Sequence, residues 1–186
     1  MSIRRGIAVP CFTDDPIELV DLAVLAEEAG FDGFFIWDHL VWSNDGLAGP
    51  SVVDPWAVLS AIAVRTTRLV LGPMITPVAR RRPWVLARQT ATLDLLAGGG
   101  RTVLGVGLGG PDGDFALFGE PVDPRRRGAL LDEGLDVLAG LWTGEAFEHH
   151  GAHHDVGPVR FRPTPAGGRV PVWVGGVLPA RRPLRR

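Results

Sequence analysis

The chain has 186 residues, a formal net charge of -2 at pH 7 and a single cysteine. This length predicts one domain over residues 1–186, the charge gives no reason to expect a nucleic-acid partner, and one cysteine excludes an internal disulfide. All 19 basic residues are arginine, which excludes a Schiff-base lysine and a P-loop lysine. No apolar run is long enough to span a bilayer, and no signal-like segment precedes Pro10 and Asp14. We therefore expect a cytoplasmic protein without a membrane partner.

Apolar strand-like runs alternate with helical patterns along the chain. Strands are predicted at residues 6–10, 33–39, 68–76, 102–110 and 170–176, and helices at residues 13–30, 54–66, 81–100 and 124–144. Because the strand runs are continuously apolar, they are predicted to be buried on both faces, as in a parallel sheet covered by helices. The segment 145–169 is rich in Gly, Pro and His, and it predicts a hairpin or a long loop.

The first two helices carry boundary signals. Asp15 is predicted to cap the first helix, Pro16 suits its first position, and Glu18 can complete a capping box. Gly30 fits the C-terminal stop of this helix, and Asp54 is predicted to cap the second.

The carboxyl ends of the predicted strands carry unusual residues, and this is where parallel α/β proteins bind ligands. They are Asp38, His39, Met74, Ile75, Thr76, the glycine-rich segment 105–110, Gly175 and Gly176. A neutral imidazole can accept or donate a proton near pH 7, so His39 is a catalytic candidate. The alternative is a structural hydrogen-bonded pair between His39 and Asp38. Glycine allows a planar ligand or a phosphate to approach the backbone, and Trp42 is predicted to line the substrate pocket.

Five blocks in order resemble the luciferase-like monooxygenase family of flavin- or F420-dependent oxidoreductases. They are GFFIWDHL, LVLGPMITPVARRRPWVLARQTATLDLLAGGG, VLGVGLGG, DFALFGEP and VPVWVGG. The resemblance implies a (β/α)8 TIM barrel that binds FMN or F420 at its carboxyl face and acts on a small organic molecule. The ending WDH favours F420 and leaves FMN open.

Residue roles follow from the resemblance. It places His39 beside the deazaflavin ring, Met74 to Thr76 behind the ring, Gly107 and Gly109 at the end of the fourth strand, and Gly175 and Gly176 at the cofactor phosphate. Asp38 is included among the cofactor-binding residues. Some family members carry a glutamate beyond strand four as proton donor. Here only Asp112 or Asp114 is near that position.

Five strands can be counted where a complete barrel has eight. We therefore expect a partial TIM barrel, truncated at the C-terminus, with about five parallel strands and covering helices. The alternative to an enzyme is a non-catalytic remnant that self-associates through open sheet edges. The candidate partners are a small-molecule substrate and, in a homo-oligomer, a second copy of the chain.

Two further patterns carry alternatives. The histidines of HHGAHH form either a metal tract or a surface loop, and we expect no metal site. The runs ARRRP and PRRRG are either phosphate contacts or solvated helix flanks, and solvated flanks are favoured.

Overall fold

The computed structural model describes residues 3–43, 45–110 and 112–176, which form parallel strands covered by helices. In chain order the elements are β1 (Gly6–Val9), α1 (Pro16–Glu28), β2 (Gly33–Ile36), α2 (Pro55–Arg65), β3 (Val70–Pro73), β4 (Thr76–Pro77), a 3-10 turn (Val78–Arg80), α3 (Pro83–Leu96), β5 (Leu104–Gly107), α4 (Gly113–Ala116), α5 (Pro124–Trp142), β6 (Ala146–His150), β7 (Asp155–Arg160) and β8 (Val172–Val174).

The strands form a parallel arrangement with five positions. β1, β2 and β3 pair in that order, and β4, β5 and β8 pair in that order. A parallel bridge between Leu71 and Thr102 joins the two groups, because β3 runs beside the chain that enters β5. The predicted α/β fold with about five parallel strands is confirmed, and it corresponds to part of a TIM barrel. The described strands do not close into a complete barrel, since β1 and β8 are not paired with each other.

The predicted third strand is divided in the structure. β3 ends at Pro73, and pairing resumes at Thr76 as the short strand β4. The peptide bond between Met74 and Ile75 is cis. The break in the strand places Met74 and Ile75 at the carboxyl ends of the sheet, where both line a cavity.

The segment that interrupts the βα rhythm is a hairpin. β6 and β7 pair antiparallel, with an irregularity between Phe147 and His149. The hairpin packs on α5, where Gly140 leaves room for the ring of Phe147. One of the two sequence alternatives, the hairpin, is therefore the observed structure.

The helix caps follow the sequence signals with one correction. The Asp15 carboxylate accepts the Ile17 N–H at 2.9 Å, and the Asp54 carboxylate accepts the Ala57 N–H at 2.8 Å. The predicted capping box is wrong. Thr13 lies between the two groups, and its hydroxyl donates to Glu18 at 2.8 Å and accepts the Asp15 N–H at 3.0 Å.

The hydrophobic core lies between the strands and the covering helices. Phe34 and Ile36 of β2, Leu71 of β3 and Leu104 of β5 are fully buried there. In the described part of the chain, no helix has the length and apolar character needed to cross a membrane.

Candidate active site

A cavity of about 520 Å3 opens at the carboxyl ends of β2, β4, β5 and β8. Its wall collects strand-end residues that are far apart in the sequence. They are Trp37, Asp38, His39, Met74, Ile75, Pro77, Leu108, Gly107, Gly109, Gly110, Gly175 and Gly176. The structure thus brings together eight of the ten predicted site residues. Thr76 and Trp42 lie outside this wall.

Glycines give the cavity its depth. A Cβ atom at Gly107 would lie 3.1 Å from the Ile75 side chain, and one at Gly175 would lie 3.2 Å from it. Gly109 has φ +75°, and a Cβ there would lie 2.7 Å from Pro77. Side chains at these positions would fill the space that the glycines leave open. The result is a mostly apolar slot with backbone exposed along its walls.

His39 lies at the edge of this slot and is held by aromatic rings. Its ring is 4.8 Å from that of Trp42 at an interplanar angle of 80°, and Phe12 and Trp37 pack at 6.0 Å and 6.1 Å. Its Nδ1 is buried without a hydrogen-bond partner and lies 3.4 Å from Asp114 Oδ2. Burial, together with the positive charge of Arg80, lowers the pKa of His39 below its ordinary value of 6.5. The imidazole is therefore neutral at pH 7.

Asp38 does not pair with His39, so that structural alternative is wrong. Its buried carboxylate accepts the Thr76 hydroxyl at 2.5 Å. It also accepts hydrogen bonds from Nη2 of Arg80 at 2.8 Å and from Nε and Nη2 of Arg81 at 2.8 Å and 2.7 Å. Asp38 lines the cavity, but its charge is committed to these partners. A direct contact between Asp38 and a cofactor stays a prediction.

Asp114 is the second carboxylate of this buried cluster, and it is fully buried. It accepts the backbone N–H groups of Leu40 at 2.6 Å and Val41 at 3.0 Å, and it pairs with Arg80. The Arg80 side chain is only 3% exposed. Asp38, Asp114, Arg80 and Arg81 thus form a charge-balanced cluster. It fixes the segment that carries His39.

Two arginines of the ARRRP run were missed as site residues by sequence reasoning. The solvated-flank interpretation is wrong for Arg80 and Arg81, which are bonded to Asp38 from 42 and 43 positions away. It is also wrong for Arg127 of PRRRG, which is buried, donates to the Val122 carbonyl at 2.9 Å and stacks on Phe115. The only sequence signal was the position of ARRRP directly after a strand end.

The remaining site candidates occupy distinct places. Asp112 is 74% exposed on its side chain and pairs with Arg127 at 3.0 Å. Thr76 is buried against Asp38. Trp42 is 42% exposed, lines a neighbouring groove and touches the site through the ring of His39.

The histidines of the hairpin are organised around Glu133 of α5. Its carboxylate accepts the backbone N–H groups of His153 at 3.0 Å and His154 at 2.7 Å, and it contacts His149 Nε2 at 3.3 Å. Burial alone would raise the pKa of Glu133, but these N–H donors outweigh it and hold the pKa at about 2. Among the described residues, no group of three or more potential ligand side chains could hold a metal ion.

Known proteins match this chain over most of its length. The family model described as luciferase-like monooxygenase matches residues 4–184. An F420-dependent glucose-6-phosphate dehydrogenase from Nakamurella multipartita is 38% identical over 180 residues, which cover 96% of this chain and 52% of that protein. The enzyme of the same name from Microbacterium testaceum is 37% identical over 182 residues, which cover 97% of this chain and 53% of that one.

A solved structure gives the same result for the fold. The coenzyme F420-dependent tetrahydromethanopterin reductase from Methanopyrus kandleri matches with a TM-score of 0.79 and 25% identity, covering 95% of this chain and 51% of that chain. This chain therefore spans about half the length of the curated relatives that it matches. With the family model covering nearly all of its sequence, the chain belongs to the luciferase-like monooxygenase family.

Proposed function

We propose that this chain forms the cofactor face of an F420-dependent oxidoreductase that oxidises a small hydroxylated substrate. The observation that carries the proposal is the apolar slot of about 520 Å3 with a neutral His39 at its edge. The two relatives above support F420 over FMN, since both are named as F420-dependent. Their names also make glucose 6-phosphate the first substrate to test.

The slot suits a flat ring system. Ile75 lies opposite Gly107 and Gly175, where any added Cβ would enter the open space. We propose that Met74 and Ile75 support the ring face, and that the backbone at Gly107, Gly109, Gly175 and Gly176 allows ring and phosphate to approach closely. Bound F420 would accept the hydride that leaves a substrate carbon, a reaction that none of the chain's own side chains can perform.

His39 is the group that handles the proton. With its own proton on Nδ1, which faces the Asp114 carboxylate at 3.4 Å, the ring has a lone pair on Nε2. That atom can accept the proton of a substrate hydroxyl as the hydride leaves. The lowered pKa keeps the ring available as a base at neutral pH. Trp42 and Phe12 prevent the ring from turning away.

The geometry favours His39 over the two aspartates for this role. The Asp114 carboxylate is occupied by Arg80 and by two backbone N–H groups. Asp112 is solvent-exposed and paired with Arg127, and it does not line the slot. We therefore assign the proton transfer to His39 and a positioning role to Asp114.

The test is a titration of the chain with F420 and with FMN, followed by a turnover assay with glucose 6-phosphate. We expect tighter binding of F420, and turnover in His39→Asn reduced about tenfold or more, since general bases contribute on the order of a hundredfold. His150→Asn, a change of the same type on the exposed hairpin, is the matched control and should leave both unchanged. Tighter binding of FMN, or equal turnover in the two variants, would refute the proposal.

A second candidate function has its own observation. In the described part of the chain, β1 pairs only with β2 and β8 only with β5, so both edges present unpaired backbone groups. Trp173 of β8 is 46% exposed beside Phe35, on the inner face of the sheet. A non-catalytic chain that self-associates through these edges would show this arrangement. Light scattering that finds oligomers, together with no binding of either cofactor, would favour this candidate over the enzyme.

A further inference from the structure

A second and larger cavity lies outside the site described above. It measures about 710 Å3 and is bounded by residues 79–82 before α3, the loop before α5, the first turns of α5 and the hairpin. We call it the basic cavity because cationic side chains dominate its wall. They are Arg80, Arg81, Arg82 and Arg126, and two histidines, His153 and His154, line the same wall.

These arginines differ in whether they already form ion pairs. Arg80 and Arg81 are committed to Asp38 and Asp114 in the buried cluster. The guanidinium of Arg82 only stacks on Trp84, with 5.7 Å between its central carbon and the ring centroid. Within residues 3–43, 45–110 and 112–176, neither Arg82 nor Arg126 forms an ion pair with a carboxylate. Two positive charges therefore face one cavity uncompensated by a direct partner.

Two carboxylates also border the basic cavity, and neither cancels this charge. Asp123 caps α5, accepting the N–H groups of Arg125 and Arg126 at 3.2 Å each, so its charge is directed at the helix end. Glu120 makes no ion pair with any described cation, although it lines the same wall. Four arginines therefore line this wall against two carboxylates.

The pKa of His154 reflects the positive charges around it. Burial lowers its pKa, and the neighbouring charges of His153, His149 and Arg82 lower it further, while the Glu133 carboxylate opposes them. The ring packs edge-on against Trp84 at 6.3 Å, which places it next to the stacked Arg82. An anion in the basic cavity would relieve the repulsion among these groups.

We propose that the basic cavity binds a small phosphorylated molecule, whose dianionic group is held between Arg82 and Arg126. Guanidinium groups recognise phosphate through paired N–H donors, and the cavity is far larger than a phosphate group alone. This site is separate from the cofactor slot, which shares none of its wall residues. The proposal does not rest on the proposed oxidoreductase function.

The test uses the full 186-residue chain and glycerol 3-phosphate as the probe, with binding measured by calorimetry at constant ionic strength. We expect saturable one-to-one binding, with the dissociation constant raised about tenfold in Arg82→Gln and in Arg126→Gln because each removes a charge-assisted contact. Arg125→Gln is the matched control, since Arg125 is exposed on the same helix turn and outside the cavity wall. Equal affinity in the Arg125 and Arg126 variants, or no saturable binding, would overturn the proposal.

A second readout separates a site from general charge screening. Sulfate keeps its two charges across the range in which histidine titrates, so its effect on His154 can be followed by NMR without titration of the ligand. Bound sulfate should raise the pKa of His154 in the original chain and leave it unchanged in the Arg82→Gln, Arg126→Gln double variant. An equal rise in both proteins would show screening alone and would refute the site.

Discussion

Replacing Asp114 with asparagine tests whether the buried charge cluster positions His39. The substitution retains an oxygen that can accept the N–H groups of Leu40 and Val41. It turns the atom facing Arg80 from an acceptor into a donor, and it removes one of two negative charges that balance Arg80 and Arg81. Breaking a buried ion pair on one side costs about 3–5 kcal/mol. For a chain of this size that corresponds to a fall in melting temperature of roughly 6–20 °C.

The assay is urea unfolding followed by circular dichroism, with Asp112→Asn as the control. This control makes the same aspartate-to-asparagine substitution two residues earlier in the chain. The Asp112 side chain is 74% exposed, so its ion pair with Arg127 contributes about 1 kcal/mol or less to stability. Adding Arg80→Met to Asp114→Asn should cost less than the sum of the single changes, because Asp38 and Arg81 still balance each other. Similar unfolding free energies for the Asp112 and Asp114 variants would refute the positioning role.

Three further predictions concern α5 and the hairpin. Glu133→Gln should destabilise the protein at about pH 6 but much less at about pH 3, as measured by urea unfolding at both pH values. The pKa of Glu133 is about 2 in the folded state and about 4.5 in the unfolded state, so the ionised carboxylate stabilises the fold above pH 4.5. This stabilisation is lost as the pH falls from 4.5 to 2. Gly140→Ala should lower stability by about 1–3 kcal/mol despite the better helix propensity of alanine, because its Cβ would enter the ring of Phe147. Gly157→Ala, where the added Cβ meets nothing within 4 Å, is the control, and equal effects of the two changes on the melting temperature would contradict this account. A metal chelator should leave the melting temperature unchanged, and a large fall accompanied by stoichiometric zinc would show that the hairpin histidines hold a metal.

The sequence predicted the positions of the strands well because each strand is marked by its own run of apolar residues. Phe34 and Ile36 lie in a continuous apolar run, and β2 and β5 are buried along their whole length as predicted. The same prediction is wrong for β1 and β8, whose residues are partly or fully exposed. Strand ends then predict where the apolar slot lies, since parallel strands share one carboxyl edge. The close grouping of His39, Ile75, Gly107 and Gly175 follows from this rule.

The charged cluster could not be predicted in the same way. A run of arginines before a helix has the same local pattern whether its side chains are solvated or buried. The difference lies in partners such as Asp38 and Asp114, which are 42 and 34 positions from Arg80. The capping box failed for a related reason, since Thr13 competes for both of its polar groups and no spacing rule includes it.

The side chains of the three arginines that follow β4 point in two directions. Arg80 and Arg81 turn inward to the carboxylates beside His39, whereas Arg82 turns outward onto Trp84 and the basic cavity. An anion that engaged Arg81 would have to displace two hydrogen bonds to Asp38, at 2.7 Å and 2.8 Å, from a buried carboxylate. Arg82 has no such competing bond to any residue that the structure describes, so the anion binds there at lower cost. Occupancy of the basic cavity should therefore leave the cluster around His39 intact, although the two cavities lie on either side of one short segment.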